Sequence, residues 1–363
     1  MIKGCDVSNL LQIEKNGGRY YEDGIKKDAL TILKDNGINL FRLRLFNDPY
    51  DELGNSYGAG ECDINCVKKL ATRAKQLGVD WLLDFHYSDC WADPGKQTMP
   101  KAWVGLSLDE LTEQLYQFTK QTLQVLKEEN ISPEIIAVGN EITNGLLWPV
   151  GKAPNWQAIC QLVSAGIKAC KEVLPQAKTM IHLDNGGNSE MYANWFGEYF
   201  KNGGADFDVI GLSYYPFWHG SFDDLRRTLS MLSNTYGKEM VIAETSYGFT
   251  MEDYKEYEGL SDWQRKGMAI KPELLEGLQY PLTKQGQCQF MLHLASVVDE
   301  FDKCTGFIYW GGESIPVPNS GWATEAGIEY MHEKGPGGNE WANQALFDYQ
   351  GNSLPVLQTI KIM

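Results

Sequence analysis

The stretch that decides the fold is IIAVGNEITNGLLWP, residues 135–149, where an apolar run ends at Gly139 and is followed at once by Asn140 and Glu141. A second stretch, MVIAETSYGF at residues 240–249, repeats this arrangement, because four apolar residues lead into Glu244. Short apolar runs of this kind predict strands that are buried on both faces, as in parallel sheets. The two stretches therefore predict parallel strands that each deliver a carboxyl group at their C-terminal end.

Strand-like and helix-like patterns alternate along the whole chain. The predicted strands are residues 2–7, 38–46, 79–87, 135–141, 178–184, 207–215, 239–245 and 304–311. The predicted helices are residues 27–36, 63–77, 107–130, 155–174, 189–202, 221–236, 284–301 and a last one near 339–348. Eight such units predict an α/β protein with a single (β/α)8 TIM barrel and long βα loops, in which residues 1–363 form one catalytic domain. An open doubly wound sheet is the alternative, but a GxGxxG turn is absent after the first strand.

Composition excludes several classes of partner. The formal net charge of −16 argues against nucleic acid, and no apolar run is long enough to span a membrane. Eight cysteines without a CxxC spacing indicate free buried thiols rather than a zinc site or a disulfide framework. We expect a monomer. No leader is visible, so the chain is either cytoplasmic or a form that lacks its leader, and we expect a secreted, periplasmic or cell-surface enzyme.

Polar and aromatic side chains cluster at the predicted strand ends. In a barrel, the C-terminal ends of all strands face one bowl, and polar groups gathered there are unfavourable unless they are paired or used. The sequence therefore predicts an active site in this bowl. The residues expected there are Asp6, Ser8, Arg42, Arg44, Asp84, His86, Asn140, Glu141, His182, Asp184, Tyr214, Tyr215, Glu244, Tyr309 and Trp310.

Glu141 and Glu244 are the candidate catalytic pair. Glycoside hydrolysis needs two carboxyl groups, one that protonates the leaving oxygen and one that attacks or activates water. The alternative is that both glutamates are surface residues at strand ends, but two at matching positions favour catalysis. Arg42 and Arg44, spaced two residues apart, share one face of a strand. We expect Arg42 beside Glu244, where its charge would keep the carboxylate ionised.

Histidines and tryptophans supply two further patterns. Asp84 with His86, and His182 with Asp184, have a spacing that metal ligands on a strand use, but too few imidazoles converge and no metal site is predicted. Six tryptophans lie in the predicted connections or at the end of the eighth strand, where their rings would stack on sugars; they are Trp91, Trp103, Trp148, Trp218, Trp310 and Trp322. Trp103, and as a second candidate Trp218, are expected to pack loops onto the barrel instead. Trp310 is the best candidate for the floor under a sugar.

Seven motifs together resemble the family 53 glycoside hydrolases, the endo-β-1,4-galactanases of clan A. They are GCDVS, FRLRLF, DFHYSDCWADPGKQ, VGNEITNGLLWP, GLSYYPFWHG, AETSYG and GFIYWGGE, and they run through the chain in order. The resemblance implies a retaining hydrolase of the β-1,4-galactan side chains of pectin. Glu141 is then the general acid/base and Glu244 the nucleophile, Asn140 holds the sugar 2-hydroxyl, and Tyr214 donates to Glu244.

The resemblance also implies a wider set of substrate-binding side chains and leaves alternatives open. The predicted set is Asn140, Arg42, His86, Tyr214, Trp310, Trp91, Asp93, Asp184, Asn185 and Trp322. No cofactor is predicted; some members carry calcium in the loop after the seventh strand, but GFTMEDYKEYEGLSDWQRKG lacks a compact ligand run. The alternatives are a clan A mannanase or cellulase, a non-catalytic sugar-binding barrel, and a metal-dependent amidohydrolase.

Overall fold

The computed structural model describes residues 1–254, 269–270, 272–334 and 337–363. Eight parallel strands form a closed barrel in which the first strand pairs with both the second and the last. The predicted (β/α)8 fold is thereby confirmed. In chain order the barrel strands are β1 (Ile2–Asp6), β4 (Leu40–Leu45), β5 (Asp80–Phe85), β6 (Ile135–Val138), β9 (Lys178–Leu183), β10 (Val209–Ser213), β11 (Glu239–Thr245) and β12 (Cys304–Tyr309).

Helices surround the barrel between these strands. Ser107 and Ser221 begin two of them with reciprocal capping boxes. The helices are α1 (Leu10–Lys15), α2 (Ala29–Asp35), α3 (Ile64–Leu77), α4 (Leu108–Glu128), α5 (Trp156–Val173), α6 (Ser189–Lys201), α7 (Phe222–Tyr236), α8 (Lys284–Asp299), α9 (Glu325–Met331) and α10 (Pro355–Ile362). None of the helices in the described ranges combines the length and the apolar character that a membrane crossing requires.

The structure corrects the prediction of a last helix near 339–348. This segment holds one short 3-10 turn, Ala342–Gln344, and the closing helix is α10. The buried amides of Asn343 and Gln344 explain the difference, because they bond to Thr250 and Ser246 in the loop that follows β11. The loops also contain α1, α9 and two small hairpins that the sequence patterns did not predict, β2 (Tyr20–Glu22) with β3 (Ile25–Lys27) and β7 (Gly145–Leu146) with β8 (Gly151–Lys152).

The barrel interior is built as an apolar layer with a polar layer above it. The apolar layer is one cluster of strand residues: Leu40, Leu82, Ile135, Ala137, Met180, Val209, Val241, Ala243 and Ile308. Since strand side chains alternate, the residue two positions further along faces the same interior. Leu40 is followed in this way by Arg42, Leu82 by Asp84, and Met180 by His182. Charged and imidazole groups therefore collect just below the C-terminal face.

A bulge between β10 and β11 sets the positions of two residues of the site. The pairing runs regularly from Val209 to Leu212 and then shifts, so that Ser213 lies opposite Glu244 instead of Ala243. Bulges of this kind increase local twist and redirect side chains next to active sites. The shift brings the inward face of β10 beside the carboxyl end of β11.

Substitution of Gly306 should test the closure of the barrel. A Cβ added at Gly306 in β12 would lie 2.0 Å from the carbonyl oxygen of Ile2 in β1. Gly306→Ala should therefore lower the free energy of unfolding by about 1–3 kcal/mol, measured by denaturant titration. The control is Gly197→Ala in α6, where an added Cβ meets no atom within 4 Å. That change should stabilise by about 0.5–1 kcal/mol. Equal stabilities of the two variants would contradict a tight β1–β12 contact.

Candidate active site

Arg42 is the buried centre of the site. Its guanidinium group lies 2.6 Å from Asp84 Oδ2, 2.8 Å from Glu244 Oε1 and 3.4 Å from Asp6 Oδ2. It also donates to Asn140 Oδ1 at 2.8 Å. A buried cation needs such partners, because the desolvation of an unpaired charge is strongly unfavourable. Arg42 thus connects β1, β5, β11 and the segment after β6.

Glu244 is a buried carboxyl group with two stabilising partners. Arg42 contacts Oε1, and the hydroxyl of Tyr215 donates to Oε2 at 2.9 Å. Burial raises the pKa of Glu244, and the positive charge of Arg42 and the hydrogen bond from Tyr215 act in the opposite direction. Both partners stabilise the ionised form, which is the form that a nucleophile needs.

Glu141 is buried in a different environment. It follows the end of β6 in the left-handed region, with φ 46° and ψ 51°, a conformation that is uncommon for residues other than glycine and concentrates at functional sites. Its Oε1 accepts a hydrogen bond from the Ser213 hydroxyl at 2.6 Å, and it forms no salt bridge with a cation among the described residues. Burial first, and then the nearby charges of Glu244 and Asp184, hold the pKa of Glu141 well above its ordinary range. Glu141 is therefore the more basic of the two carboxylates.

The spacing of the two glutamates fits one stereochemical class of glycosidase. One oxygen of Glu141 lies within 4.8 Å of one oxygen of Glu244. Retaining glycosidases hold their carboxyl groups about 5–5.5 Å apart, whereas inverting enzymes leave room for a water molecule at about 6.5–9.5 Å. The close approach of these two oxygens agrees with the shorter separation of retaining enzymes.

A ring nitrogen of His182 lies in the same group, and in the described part of the chain these three residues are the one set with possible metal-ligand spacing. Ser213 lies between His182 and Glu141 and bonds to both. The geometry is that of a hydrogen-bonded chain.

His86 is fixed in one tautomer by the backbone. The Ala92 N–H donates to Nδ1 at 3.0 Å, so Nε2 carries the proton and donates to Asp84 Oδ2 at 3.1 Å. Burial lowers the pKa of His86, and the ring is neutral. The Asp84–His86 spacing therefore serves a hydrogen bond between the two side chains, and Asp84 also pairs with Arg42.

A cavity of about 330 Å³ opens above the two glutamates. Its apolar lining is aromatic: Trp91 and Trp310 have ring centroids 6.3 Å apart, and Trp310 and Trp341 are 4.5 Å apart. The stripe continues to Trp218, 5.9 Å from Trp341. The guanidinium group of Arg44 lies 4.3 Å from the Trp91 ring centroid. Flat ring faces beside carboxyl groups suit a ligand with both apolar C–H faces and hydroxyl groups.

The structure brings together most of the residues predicted for the site. Of the catalytic pair and the ten predicted substrate-binding residues, nine line the cavity: Glu141, Glu244, Asn140, His86, Trp91, Asp93, Asp184, Trp310 and Trp322. Arg42 lies directly beneath and contacts Glu244, as expected. All eight cysteines are buried and free, which confirms that prediction as well.

Three predicted placements differ from the structure. The Tyr214 hydroxyl donates to the Gly220 carbonyl oxygen at 3.1 Å and does not reach Glu244, because the alternation of β10 turns Ser213 and Tyr215 inward and Tyr214 outward. Asn185 is not among the residues that line the cavity; it has φ 52° and turns the chain after β9. Trp103 is buried as expected, but Trp218 is 41% exposed and lines the cavity.

Tyr215 was expected in the bowl, but the contact with Glu244 was assigned to Tyr214; strand alternation favours Tyr215, because it shares a face with Ser213 two residues earlier. Several other lining residues were not singled out from the sequence. Trp341, Lys96, Glu333 and Glu340 come from long loops whose approach to the bowl depends on tertiary packing, and no local pattern marks them. Lys96 joins two such loops through Glu333 at 3.6 Å and pairs with Asp93 of its own loop at 2.6 Å. Most of the loop considered for calcium, residues 255–268, lies outside the described residues.

A closed parallel barrel whose bowl holds two closely spaced glutamates of unequal basicity defines the class of two-carboxylate glycoside hydrolases. The sequence comparisons give the family. The profile of "Glycosyl hydrolase family 53" matches residues 2–360, and the chain belongs to this family.

Named relatives and a solved structure are similar over most of their length. The "Endo-beta-1,4-galactanase" of Bacillus subtilis (strain 168) is 36% identical, with 99% of this chain and 85% of that protein covered. The "Arabinogalactan endo-beta-1,4-galactanase" of Humicola insolens is 34% identical, with 85% of this chain and 88% of that protein covered. The structure of the Ignisphaera aggregans GH53 catalytic domain is 40% identical, with a TM-score of 0.90 and coverage of 99% of this chain and 95% of that one.

The two adjacent tyrosines give a matched test of the Glu244 environment. Tyr215→Phe removes the hydroxyl that stabilises ionised Glu244, so the pKa of Glu244 should rise. Since the nucleophile must be ionised, the acidic limb of the pH–activity profile should move to higher pH. The value of kcat/KM should drop by roughly 10- to 100-fold, as expected for the loss of a charge-assisted hydrogen bond of about 1.5–3 kcal/mol. Tyr214→Phe should leave the acidic limb of the pH profile unchanged. A shift of that limb in Tyr214→Phe alone would show that the contact is misassigned.

Proposed function

We propose that this protein is a retaining endo-β-1,4-galactanase that cleaves galactan and arabinogalactan side chains of pectin. The observation that carries the proposal is the pair Glu141 and Glu244, which have oxygens within 4.8 Å of each other and different partners, the Arg42 guanidinium group for Glu244 and the Ser213 hydroxyl for Glu141. The family and the names of its similar members support galactan as the substrate.

In the first step, the two glutamates act on opposite sides of the bond. Glu141 begins protonated and gives its proton to the glycosidic oxygen, while ionised Glu244 attacks the anomeric carbon. The bond to the leaving sugar breaks, and a glycosyl ester of Glu244 forms. The raised pKa of Glu141 keeps its proton available at neutral pH, and Arg42 with Tyr215 keeps Glu244 ready to attack.

In the second step, Glu141 works as a base. Once Glu244 is an ester it carries no charge, so one cause of the raised pKa of Glu141 is removed, this pKa falls, and Glu141 can act as a carboxylate. That carboxylate takes a proton from a water molecule, the water oxygen attacks the anomeric carbon, and Glu244 leaves as a carboxylate. Two inversions give net retention of configuration.

The surrounding residues have binding roles in this proposal. Asn140 accepts from Arg42 and donates one amide hydrogen to Ala92 O, which orients its second amide hydrogen for the sugar 2-hydroxyl. Trp310 forms the floor under the sugar, flanked by Trp91 and Trp341. Asp93, Asp184, Trp322 and neutral His86 supply further contacts along the cavity wall.

The remaining properties follow from the substrate. Galactan is a polymer too large to cross a membrane, so we propose that the enzyme works outside the cytoplasm, in a secreted, periplasmic or cell-surface form. We propose that residues 1–363 form one catalytic domain that is active as a monomer. Every proton and bond in the proposed reaction is assigned to a side chain, sugar or water, so no cofactor is required.

A substrate panel tests the proposed specificity. Reducing-end release should be strong from β-1,4-galactan and weak from cellulose, mannan and arabinan, and EDTA should not abolish it. Predominant activity on mannan or cellulose would keep the two-glutamate mechanism and replace the substrate. Loss of activity with EDTA, restored by added calcium, would instead indicate a required metal.

Removal of the nucleophile tests the mechanism independently. Glu244→Ala should abolish turnover on galactan, and azide should restore cleavage of an activated aryl galactoside with inverted configuration of the glycosyl azide, because azide occupies the space of the lost carboxylate. The matched control is Glu239→Ala at the other end of β11, whose carboxylate pairs with Lys178 at 2.7 Å. It should retain activity. A product of retained configuration from Glu244→Ala would refute the assignment of Glu244 as nucleophile.

A further inference from the structure

Ser213 and His182 form a buried chain that ends on the catalytic acid. The Ser213 hydroxyl donates to Glu141 Oε1 at 2.6 Å, and its oxygen lies 2.9 Å from His182 Nε2. His182 is fully buried and Ser213 is fully buried, on the neighbouring strands β9 and β10. The reaction described above uses neither residue, so their position next to Glu141 needs a separate explanation.

The direction of the hydrogen bonds between His182, Ser213 and Glu141 depends on which nitrogen of His182 carries the proton. His182 is neutral, because burial and then the charge of Arg42 lower its pKa to about 3. In the described part of the chain, Nδ1 has no hydrogen-bond partner. A proton on Nδ1 would leave a buried N–H unpaired, which is rarer in proteins than an under-satisfied acceptor. The proton therefore belongs on Nε2, where it is donated to the Ser213 oxygen.

This direction fixes the proton of Glu141. Because Ser213 accepts from His182, its own hydrogen points to Glu141 Oε1, and Oε1 acts as an acceptor. A protonated carboxyl group whose Oε1 already accepts a hydrogen bond carries its proton on Oε2. With the opposite tautomer of His182, Ser213 would donate to the ring and Glu141 would place its proton on Oε1, directed at Ser213 and away from the substrate.

We propose that His182 and Ser213 are positioning residues that hold the acidic proton of Glu141 on Oε2, the oxygen that does not accept from Ser213 and is left to meet the glycosidic bond. The proposal rests on the proposed function of Glu141 as the general acid. The proposal concerns which of the two carboxyl oxygens of Glu141 carries the proton, so it adds no covalent step to the reaction and needs no further reactant. The site is thereby extended from the residues that touch the sugar to a two-residue support behind one of them.

Other groups that act on the chain surround it. Glu141 faces Glu244 from β11, Asp184 from the end of β9, and Asp93 from the loop after β5, and Tyr215 from β10 lies near both glutamates. His182 is faced by Arg42 from β4, by Asp84 from β5 and by His86, which directly follows β5. The variants below leave all of these groups in place, so a change in the pH profile reports the loss of the hydrogen bonds between His182, Ser213 and Glu141.

Ser213→Ala tests the proposal through its dependence on the leaving group. Without the hydroxyl, the proton of Glu141 is no longer directed to Oε2, and kcat/KM on galactan should fall about tenfold, a part of the roughly 10²–10⁴-fold effect of general acid catalysis. A dinitrophenyl galactobioside has a leaving group that needs no proton, so its kcat/KM should change by less than about twofold. The alkaline limb should move to higher pH, because the lost hydrogen bond stabilised ionised Glu141 and lowered its pKa.

Two further substitutions separate positioning from structural support. His182→Phe removes the donor and should reproduce the selective loss on galactan, whereas His182→Gln keeps an N–H donor and should restore most of the activity. Ser246→Ala is the matched control, because its buried hydroxyl donates to Gln344 and contacts neither glutamate. It should alter neither substrate preference nor the alkaline limb. Equal losses on both substrates in Ser213→Ala, with an unshifted limb, would overturn the proposal.

The tautomer of His182 can be measured without any turnover. The chain has five histidines, so ¹⁵N-histidine labelling gives few ring signals, and His182→Gln assigns the one of interest. We expect a protonated Nε2 and an unprotonated Nδ1 from pH 5 to 8. A proton on Nδ1 would overturn the proposal even if galactan is cleaved. Failure of the wild type to cleave either galactoside would instead reject the proposed function, and the tautomer of His182 would remain as the test of the hydrogen bonds from His182 through Ser213 to Glu141.

Discussion

The rest of the site depends on one buried cation. Arg42 is enclosed in the barrel and contacts Asp84, Glu244 and Asn140. Burial of a guanidinium group is tolerated only when carboxylates and amide oxygens replace its water, and the polar layer above the apolar interior provides them. Asn140 is oriented by this contact, and Asp84 is in turn bonded by His86. The positions of these side chains are therefore set together, by one charge, rather than separately.

The same charge explains how two identical side chains acquire different chemistry. Glu244 has Arg42 on one oxygen and a tyrosine hydroxyl on the other, whereas Glu141 has a serine hydroxyl and two neighbouring carboxylates. Both groups are buried, so burial alone does not distinguish them. The difference in pKa arises from the partner of each, and the pKa of Glu141 falls in the glycosyl ester, when the charge of Glu244 is lost. One arrangement thus serves an acid step and a base step.

The sequence predicted the barrel because its signals are local. Apolar runs that end in Glu141 and Glu244 and the alternation of strands with helices are visible without tertiary information. The errors lie where structure is set by distant contacts. Tyr214 was preferred to Tyr215 although alternation favours the latter, and the bulge that places Ser213 opposite Glu244 leaves no mark in the sequence. The closing helix was misplaced because Asn343 and Gln344 bind another loop. Trp341 and Glu333 reach the cavity only through loop packing.

The coupling of the buried layer to Arg42 also bears on how such an enzyme diversifies. A change at Asp84 or Asn140 removes a partner of the buried cation, so substitutions there are accepted only together with compensating ones. Trp218 contacts the rings of Tyr215, Phe217 and Trp341 and is 41% exposed, and Trp341 comes from a loop outside the strands. Mutational drift at this rim leaves the charge arrangement intact. Lineages of this barrel are thereby free to exchange the sugars that they recognise while inheriting an unaltered cleavage machinery.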